Sequence, residues 1–595
     1  MKTLEKTDIT VPAGADWLIK DCDPSDIFIP EEFTEEQLLF AQTCKQFVDK
    51  EVHPRLLQIE ENPDAEMLPL IGKAAALDMF GAAIPEKYGG LQKDFVTNTI
   101  ISEEVGGANS FTVFYICHIG IGMLPILYFG TEEQKEKYLP KLVSGEWIGA
   151  YGLTEPGSGS DALSAKTTAT LSQDGKHYIL NGQKCWITNG GWANIFTVFA
   201  KVDGTKFTAF LVEKNSKGFS IGHEEKKIGI KGSSTTQLYF QDCVVPVENV
   251  LGEIGKGHIV AFNILNVGRF KMAPACIGGG KRATNLSLTY AMQRKQFNKS
   301  LVEFGLIKQK LADMAIQVWV CETATYRLAK TIEDKKLSLE INGTPSLKAG
   351  LAAVEEYAME CALLKVFSSE MYNKVADEGV QIHGGNGYSN EYPISHSYLD
   401  SRINRIFEGT NEINRLLSIN ILFKRAMNGR LDLLGTIKSL QKNMEVNSSI
   451  EDEIFGYAEE SAVIKNFKHI FLLILATVYQ KVKDFEDEQE LTGNLADIVS
   501  TVFTSESALL RLKKLAQKNN TDISATEDIV RVFLYTSSDN IFRTAKEIIT
   551  NFCQGKEYSQ MISQLKQLTQ TSIFNTKEAR RRITAKMVQE GKYCF

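Results

Sequence analysis

What the chain lacks narrows it first. Among 595 residues there are ten cysteines but no C-x-x-C pair, and most of the thiols sit among apolar neighbours. A zinc ribbon and a disulfide scaffold are therefore both disfavoured, and a reducing, cytoplasmic compartment is expected. The eight histidines form no H-x-x-x-H or His/Cys cluster, so no metal site is expected and His383 reads as structural. No G-x-S-x-G elbow is present. Gly278-Gly279-Gly280-Lys281 fails as a phosphate loop, because Ala275 stands where the first glycine belongs and Arg282 where Ser or Thr belongs. Gly384-Gly385-Asn386-Gly387 fails as a dinucleotide fingerprint, with Asn390 in the final glycine place and no buried strand before it.

Positive charge is slightly outnumbered, with 66 Lys and Arg against 73 Asp and Glu. A formal charge of -7 gives no electrostatic reason to bind nucleic acid or anionic membrane. The longest unbroken apolar run, Ile470 to Ala476, falls far short of the roughly 20 residues that span a bilayer, so no membrane insertion is expected. Met1 to Pro30 has no hydrophobic signal core and carries acid where a mitochondrial transit peptide would carry Arg. The expectation is a cytoplasmic protein of bacterial origin.

The length exceeds one core, and roughly 150 residues per domain suggests about four units. Residues 1–33 are polar, with Pro12, Pro24 and Pro30 as breakers, and read as an arm. Thr34-Glu35-Glu36-Gln37 and Thr131-Glu132-Glu133-Gln134 are capping boxes that bracket a helical domain over 34–147, with Met79 to Gly90 as a loop. Over 148–260 the texture turns to β-branched and aromatic runs separated by Asn181-Gly182, Asn189-Gly190-Gly191 and Asp203-Gly204. These predict an antiparallel β domain. Helical periodicity returns around 259–297, 303–333, 346–380 and 411–426, which predicts a four-helix bundle within 261–428. A helical extension, 429–595, is broken by the polar tract Glu445 to Glu453. The fold class expected is α+β, in the order helical, β, helical, helical.

Two stretches carry chemistry. In Arg402-Ile403-Asn404-Arg405-Ile406-Phe407-Glu408-Gly409-Thr410-Asn411-Glu412-Ile413-Asn414-Arg415 an acidic residue, Glu408, followed at once by Gly and Thr, interrupts an otherwise apolar and basic run. A carboxylate poorly hydrated there has its pKa raised towards the value a general base needs, and Gly409 allows close approach of backbone or cofactor. The plainer alternative is that Thr410 caps a helix through Ile413, Leu416 and Leu417, with Glu408 merely beside its positive end. In Tyr151-Gly152-Leu153-Thr154-Glu155-Pro156-Gly157-Ser158-Gly159-Ser160-Asp161, small residues let backbone N–H groups and hydroxyls face a polar ligand, though a flexible linker has the same composition. Trp186 and Thr188 alternate on the strand that follows and could share its ligand, although Trp186 could equally be core. Arg580-Arg581-Arg582, behind a cap at Asn575, reads as a solvated helix face.

Together these segments resemble the acyl-CoA dehydrogenase family over roughly residues 35 to 425: the T-E-P-G-x-G-S-D loop at 154–161, W-I-T-N at 186–189, R-x-x-F at 294–297, Q-I-x-G-G-x-G-Y at 381–388 and F-E-G-T-N-E-I at 407–413. The extension, with Asn266-Val267-Gly268-Arg269-Phe270-Lys271-Met272-Ala273, is most similar to the very-long-chain branch. The resemblance implies that Glu408 removes the α-proton of an acyl-CoA thioester while a β-hydride leaves for FAD, giving a trans-2-enoyl-CoA. It implies that the thioester carbonyl is held by a ribityl hydroxyl and by the backbone N–H of Glu408.

By the same resemblance, Thr154, Gly159, Ser160, Trp186 and Thr188 hold the flavin and pyrophosphate, and Thr410 and Glu412 add FAD contacts. Arg294, Phe297, Gln381 and Gly385 hold the adenine half across a subunit boundary. Ser160, Arg269 and Gly409 face the substrate. In the isovaleryl and long-chain members the base comes from the residue before the arginine; here that residue is Gly268, leaving Glu408. Phe407 and Lys308 depart from the tyrosine and glutamine frequent among relatives. The very-long-chain relatives dock their extension on the dimer and use part of it to bind a membrane. With acid dominating 437–460, a soluble homodimer is expected instead, passing electrons to an electron-transfer flavoprotein. The alternatives are an acyl-CoA oxidase using O₂ and an assembly or scaffold protein that keeps the fold.

Overall fold

The computed structural model describes residues 11–442, 457–518 and 522–595. The tract Glu445 to Glu453 lies outside the described residues, as do residues 1–10 of the arm.

The N-terminal helices are α1 Glu35–Phe47, α2 Leu56–Glu61, α3 Pro63–Ala76, α4 Phe95–Gly106, α5 Ser110–Cys117, α6 Leu124–Phe129 and α7 Glu132–Val143. Both capping boxes form. Thr34 Oγ1 accepts from Gln37 N at 3.2 Å while Gln37 Oε1 accepts from Thr34 N at 3.0 Å, and Thr131 and Gln134 repeat the exchange. Each satisfies two backbone donors that a helix start leaves open. Counting unbroken apolar residues overlooks Ser110–Phe129, which by length and composition is apolar enough to cross a membrane, as is Ala458–Tyr479. The first is 83% buried, as the core of this domain.

The middle domain holds β1 Gly149–Gly152, β2 Thr168–Leu171, β3 His177–Thr188, β4 Ile195–Val202, β5 Lys206–Glu213, β6 Phe219–Glu224, β7 Thr235–Pro246 and β8 Val250–Leu251. The order is β6-β7-β3-β2-β4-β5-β8, with β1 also on β4. The sheet is mixed rather than antiparallel, since β1 and β2 both run parallel to β4. Asn181-Gly182 is not a turn but part of the long β3. Pairing with β7 continues on both sides, and the register shift between Leu180 and Gly182 absorbs the pair as an irregularity. Asn181 Nδ2 donates to Asp242 Oδ1 at 3.1 Å across it.

The bundle follows: α8 Gly257–Gln293, α9 Gly305–Ile341, α10 Ser346–Glu356, α11 Ala358–His383, α12 Pro393–Ser401 and α13 Asn411–Met427. α8 stops short of residue 297 because a small hairpin, β9 Lys295–Gln296 with β10 Lys299–Ser300, intervenes. The glycines rejected as a phosphate loop sit inside α8 and let it close on α4. A Cβ on Gly278 would strike the Glu103 carbonyl, and one on Gly106 would strike the Ala275 backbone.

The extension comprises α14 Leu433–Lys442, α15 Ala458–Tyr479, α16 Gln489–Ala516, α17 Ser524–Phe552, α18 Gly555–Leu568 and α19 Thr576–Glu590. It is fastened to the bundle by ion pairs: Arg511–Glu322 at 2.7 Å, Arg327–Glu506 at 2.9 Å and Arg415–Asp497 at 2.7 Å. The arm joins the same seam through Glu31, which Arg511 Nη2 meets at 2.7 Å. The arginine run of α19 is more than a solvated face. Arg580 pairs with Asp313 of α9 and Arg582 with Asp528 of α17, both at 2.7 Å.

Candidate active site

Glu408 lies where the chain turns into α13. Its φ of +57° and the +79° of Gly409 place two successive residues in the left-handed region, at a cost for a non-glycine residue of about 1–3 kcal/mol. Surrounding donors hold the turn. Asn414 Nδ2 donates to the carbonyls of Glu408, Gly409 and Thr410 at 3.2, 2.8 and 3.0 Å. Lys365 Nζ, from α11, donates to Gly409 O at 2.7 Å and Asn411 Oδ1 at 2.8 Å. Arg269 Nε, from α8, approaches Glu408 O at 3.4 Å. Thr410 does cap α13, accepting from Ile413 N at 3.3 Å, so the plainer reading of this motif describes the same turn.

The carboxylate itself is left alone. Glu408 is half-exposed as a residue, but its Oε2 is sealed from solvent and has no hydrogen-bond partner. Burial pushes its pKa up to about 7, against the opposing charges of Arg269 and Lys365. Space for it comes from α8, since a Cβ on Gly268 would lie 2.6 Å from Glu408 Oε2. Two more groups face it. Tyr151 of β1 keeps a sealed, unpartnered hydroxyl whose ionisation Glu408 further opposes. Cys117, at the end of α5, bonds Thr188, and burial pushes its thiol up to about 12, which leaves no nucleophilic thiolate at neutral pH. The N-terminal helices, the middle sheet and the bundle thus meet at one carboxylate.

Beside it runs a shelf. Cys185 N donates to Thr154 O at 3.0 Å, tying the 154–161 loop to β3. Buried Glu155 anchors the loop, accepting from Lys184 Nζ at 2.7 Å and Lys166 N at 2.6 Å. Its tip stays open, with Gly159 and Ser160 exposed and nothing within 4 Å of a Cβ on Gly157 or Gly159. Trp186 carries φ +59° and a side chain left 61% exposed, and Thr154 and Thr188 are half-buried. Open glycine backbone, hydroxyls and an uncovered indole suit a flavin ring with its pyrophosphate, so the residues fit FAD. Glu412 is exposed on the first turn of α13, where hydrogen bonding, first from its own backbone N–H, holds its carboxyl below the usual range.

Arg294, Phe297, Gln381 and Gly385 lie elsewhere. Tyr290 stacks on His383 at 4.2 Å, and Asn386 Nδ2 donates to Tyr290 OH at 3.1 Å, so the ends of α8 and α11 adjoin. All four residues are exposed there, Phe297 by 87%. Arg269 and Arg294 are separated by nearly the remaining length of α8, roughly 38 Å at 1.5 Å per residue. One chain does not bring the two sets together. Lys308 is a packing position, its carbonyl accepting from Thr584 at 2.8 Å, and Phe407 packs on the core.

Sequence reasoning missed Lys365 and Cys117, and took Tyr151 and Asn414 only as members of their motif stretches, without a role. Lys365 left a signal, as a lysine inside the apolar run Ala362 to Phe367.

Comparison with known proteins agrees with this arrangement. Acyl-CoA dehydrogenase N-terminal, middle and C-terminal domain families match residues 34–146, 150–243 and 255–422, and a further acyl-CoA dehydrogenase C-terminal domain matches 466–567. The chain is 43% identical over 585 residues to a probable acyl-CoA dehydrogenase of Bacillus subtilis (strain 168), covering 98% of each. It is 42% identical over 392 residues to the bovine mitochondrial very long-chain specific acyl-CoA dehydrogenase, covering 62% of this chain and 57% of that one. An acyl-CoA dehydrogenase complexed with FAD from Bacillus anthracis superposes with TM-score 0.95 at 42% identity over 98% of this chain and 100% of its own. With a mixed sheet between helical domains, a shelf fitted to a flavin and matches along nearly its whole length, the chain belongs to the acyl-CoA dehydrogenase family of FAD-dependent oxidoreductases acting on CH–CH bonds.

Proposed function

We propose that the protein oxidises saturated acyl-CoA thioesters to trans-2-enoyl-CoAs, with Glu408 as the base that takes the α-proton. The observation that carries this reading is a carboxylate oxygen sealed from water and free of any partner, with its pKa near 7. A solvated carboxylate is too weak for an α-proton beside a thioester; desolvation strengthens it. Lys365 and Asn414 fix the turn, so the base reaches its substrate without rearranging. Bound FAD supplies the acceptor for the β-hydride. Thr154, Ser160, Thr188 and Trp186 would hold the flavin half, and the backbone N–H of Glu408 would donate to the thioester carbonyl.

Arg294, Phe297, Gln381 and Gly385 would serve the flavin of a second copy, which makes the working unit a homodimer. Their distance from Glu408 and their exposure support this. We assign the protein to the bacterial cytoplasm, with an electron-transfer flavoprotein as electron acceptor. The test is anaerobic incubation of the purified protein with an acyl-CoA series and a one-electron dye. Products two hydrogens lighter are expected; turnover that needs O₂ and yields peroxide would instead make it an oxidase.

A further inference from the structure

One charge near the site is not used by this chemistry. Lys271 is 7% exposed, and among the described residues it has no hydrogen-bond, ion-pair or ring partner. Burial alone pulls its pKa down to about 8, with no neighbouring charge contributing. Buried ammonium groups are normally paired, because an unpaired one forfeits its hydration without return. Lys281, on the same helix, shows the usual solution: it pairs with both Glu103 and Glu322. The Nζ of Lys271 is not among the sealed atoms that lack partners, so it keeps some contact with accessible space.

Its position says which space. Lys271 follows Gly268 by three residues on α8, which puts it on the same helix face about 4.5 Å further along. That face meets the Glu408 carboxylate at Gly268. The opposite wall advances in step: the charge of Glu408 reaches the thiol of Cys117, and Gly120, three residues on, receives the stem of Lys271, whose Cδ lies 3.5 Å from a Cβ placed on Gly120. Both walls recede together from the reacting atoms towards Lys271. Lys271 is not among the charges that shift Glu408, so it stands apart from the thioester end.

We propose that Lys271 is a specificity residue that receives a carboxylate on the far part of the acyl chain, making ω-carboxyacyl-CoA thioesters preferred substrates. A carboxylate is the ligand an unpaired ammonium is best matched to, since it supplies both charge and acceptor atoms. A plain alkyl chain would leave the charge buried and unsatisfied. The assignment rests on the dehydrogenase reading, with the substrate threading from Glu408 between the two walls.

The test compares adipoyl-, suberoyl- and sebacoyl-CoA with hexanoyl-, octanoyl- and decanoyl-CoA on the holoenzyme and on Lys271→Met, whose side chain keeps the stem over Gly120. The wild type is expected to favour the ω-carboxy member of at least one pair at least tenfold in kcat/KM. In Lys271→Met that preference should reverse, mostly through KM, with a hundredfold or larger change in the ratio. A preference for the alkyl member in every pair, or a ratio unchanged within twofold by the substitution, overturns the assignment while leaving the dehydrogenase reading intact. Calorimetric binding of suberoyl- and octanoyl-CoA to the two proteins separates the readings. Tighter suberoyl-CoA binding that is lost in Lys271→Met, with neither thioester oxidised, would keep Lys271 as the carboxylate site and sink the dehydrogenase reading.

Discussion

A methyl group on Gly268 would stand 2.6 Å from Oε2 of Glu408. Glycine here makes room for the Glu408 carboxylate, the proposed base, and it occupies the place from which the isovaleryl and long-chain members are expected to supply theirs. Gly268→Ala should push the carboxylate off its line and lower kcat by about two to three orders of magnitude, the range a positioned base contributes. FAD content and melting temperature should stay close to wild type. Gly268→Glu combined with Glu408→Gly should recover part of the activity lost in Glu408→Gly, measured as kcat/KM on the best substrate.

The proposed base titrates in an accessible range. With a pKa near 7 in the folded protein, Glu408 must be ionised to accept a proton, so kcat/KM should rise with pH through about 7 and then level. Stability runs the other way. A carboxyl raised from 4.5 contributes stability that is present below about 4.5 and lost as pH rises through about 7, because the folded state holds the proton more tightly. Glu408→Gln should therefore gain on the wild type at pH 8, by on the order of 3 kcal/mol. Urea unfolding at pH 5 and pH 8 measures the difference.

Lys365 supports that base from behind. Lys365→Met removes two charge-assisted hydrogen bonds, to Gly409 O and Asn411 Oδ1, leaving these acceptors to Asn414 and Ser369 alone, at a cost of about 2–3 kcal/mol. It also removes a positive charge that lowers the Glu408 pKa, so the rising limb of the pH profile should move to higher pH. A profile displaced downward, or unmoved, would contradict this placement.

The motif-bearing turns were legible because they are local. The capping boxes at Thr34 and Thr131 and the cap at Thr410 depend on residues three apart and form as the spacing dictates. Asn181-Gly182 misled because its usual turn preference yields to pairing with β7, sixty residues away, which no local pattern announces. Asn414 bonds carbonyls four to six residues back within the motif itself, whereas Lys365 reaches the turn only through the chain's return, 44 residues from Gly409, so its sequence neighbours say nothing of it. The ion pairs of Arg580 and Arg582 hide for the same reason, their partners lying on α9 and α17.

The extension behaves as part of the bundle. Arg511 and Glu322 are 2% and 4% exposed at the side chain and pair at 2.7 Å. Arg511→Met would leave two carboxylates short of a partner and should destabilise by about 3–5 kcal/mol. A chain ended at residue 432 uncovers Glu322 and Arg327 together and should be recovered insoluble rather than as a shorter enzyme. Solubility on expression and thermal melting check both statements.

Phe297, 87% exposed on its hairpin, tests the shared cofactor. Phe297→Asp should shift sedimentation towards the monomer and lower bound flavin in parallel. Loss of flavin in an intact dimer would point to contacts within one chain.

The central claim is that Glu408 takes the α-proton. Anaerobic titration of the yellow protein with saturated acyl-CoAs, followed by loss of flavin absorbance, tests it most directly, with Glu408→Gln alongside. Bleaching by at least one chain length in the wild type, and none in the variant despite equal flavin and retained thioester binding, is the result expected. Equal bleaching of both proteins would remove Glu408 from the reaction.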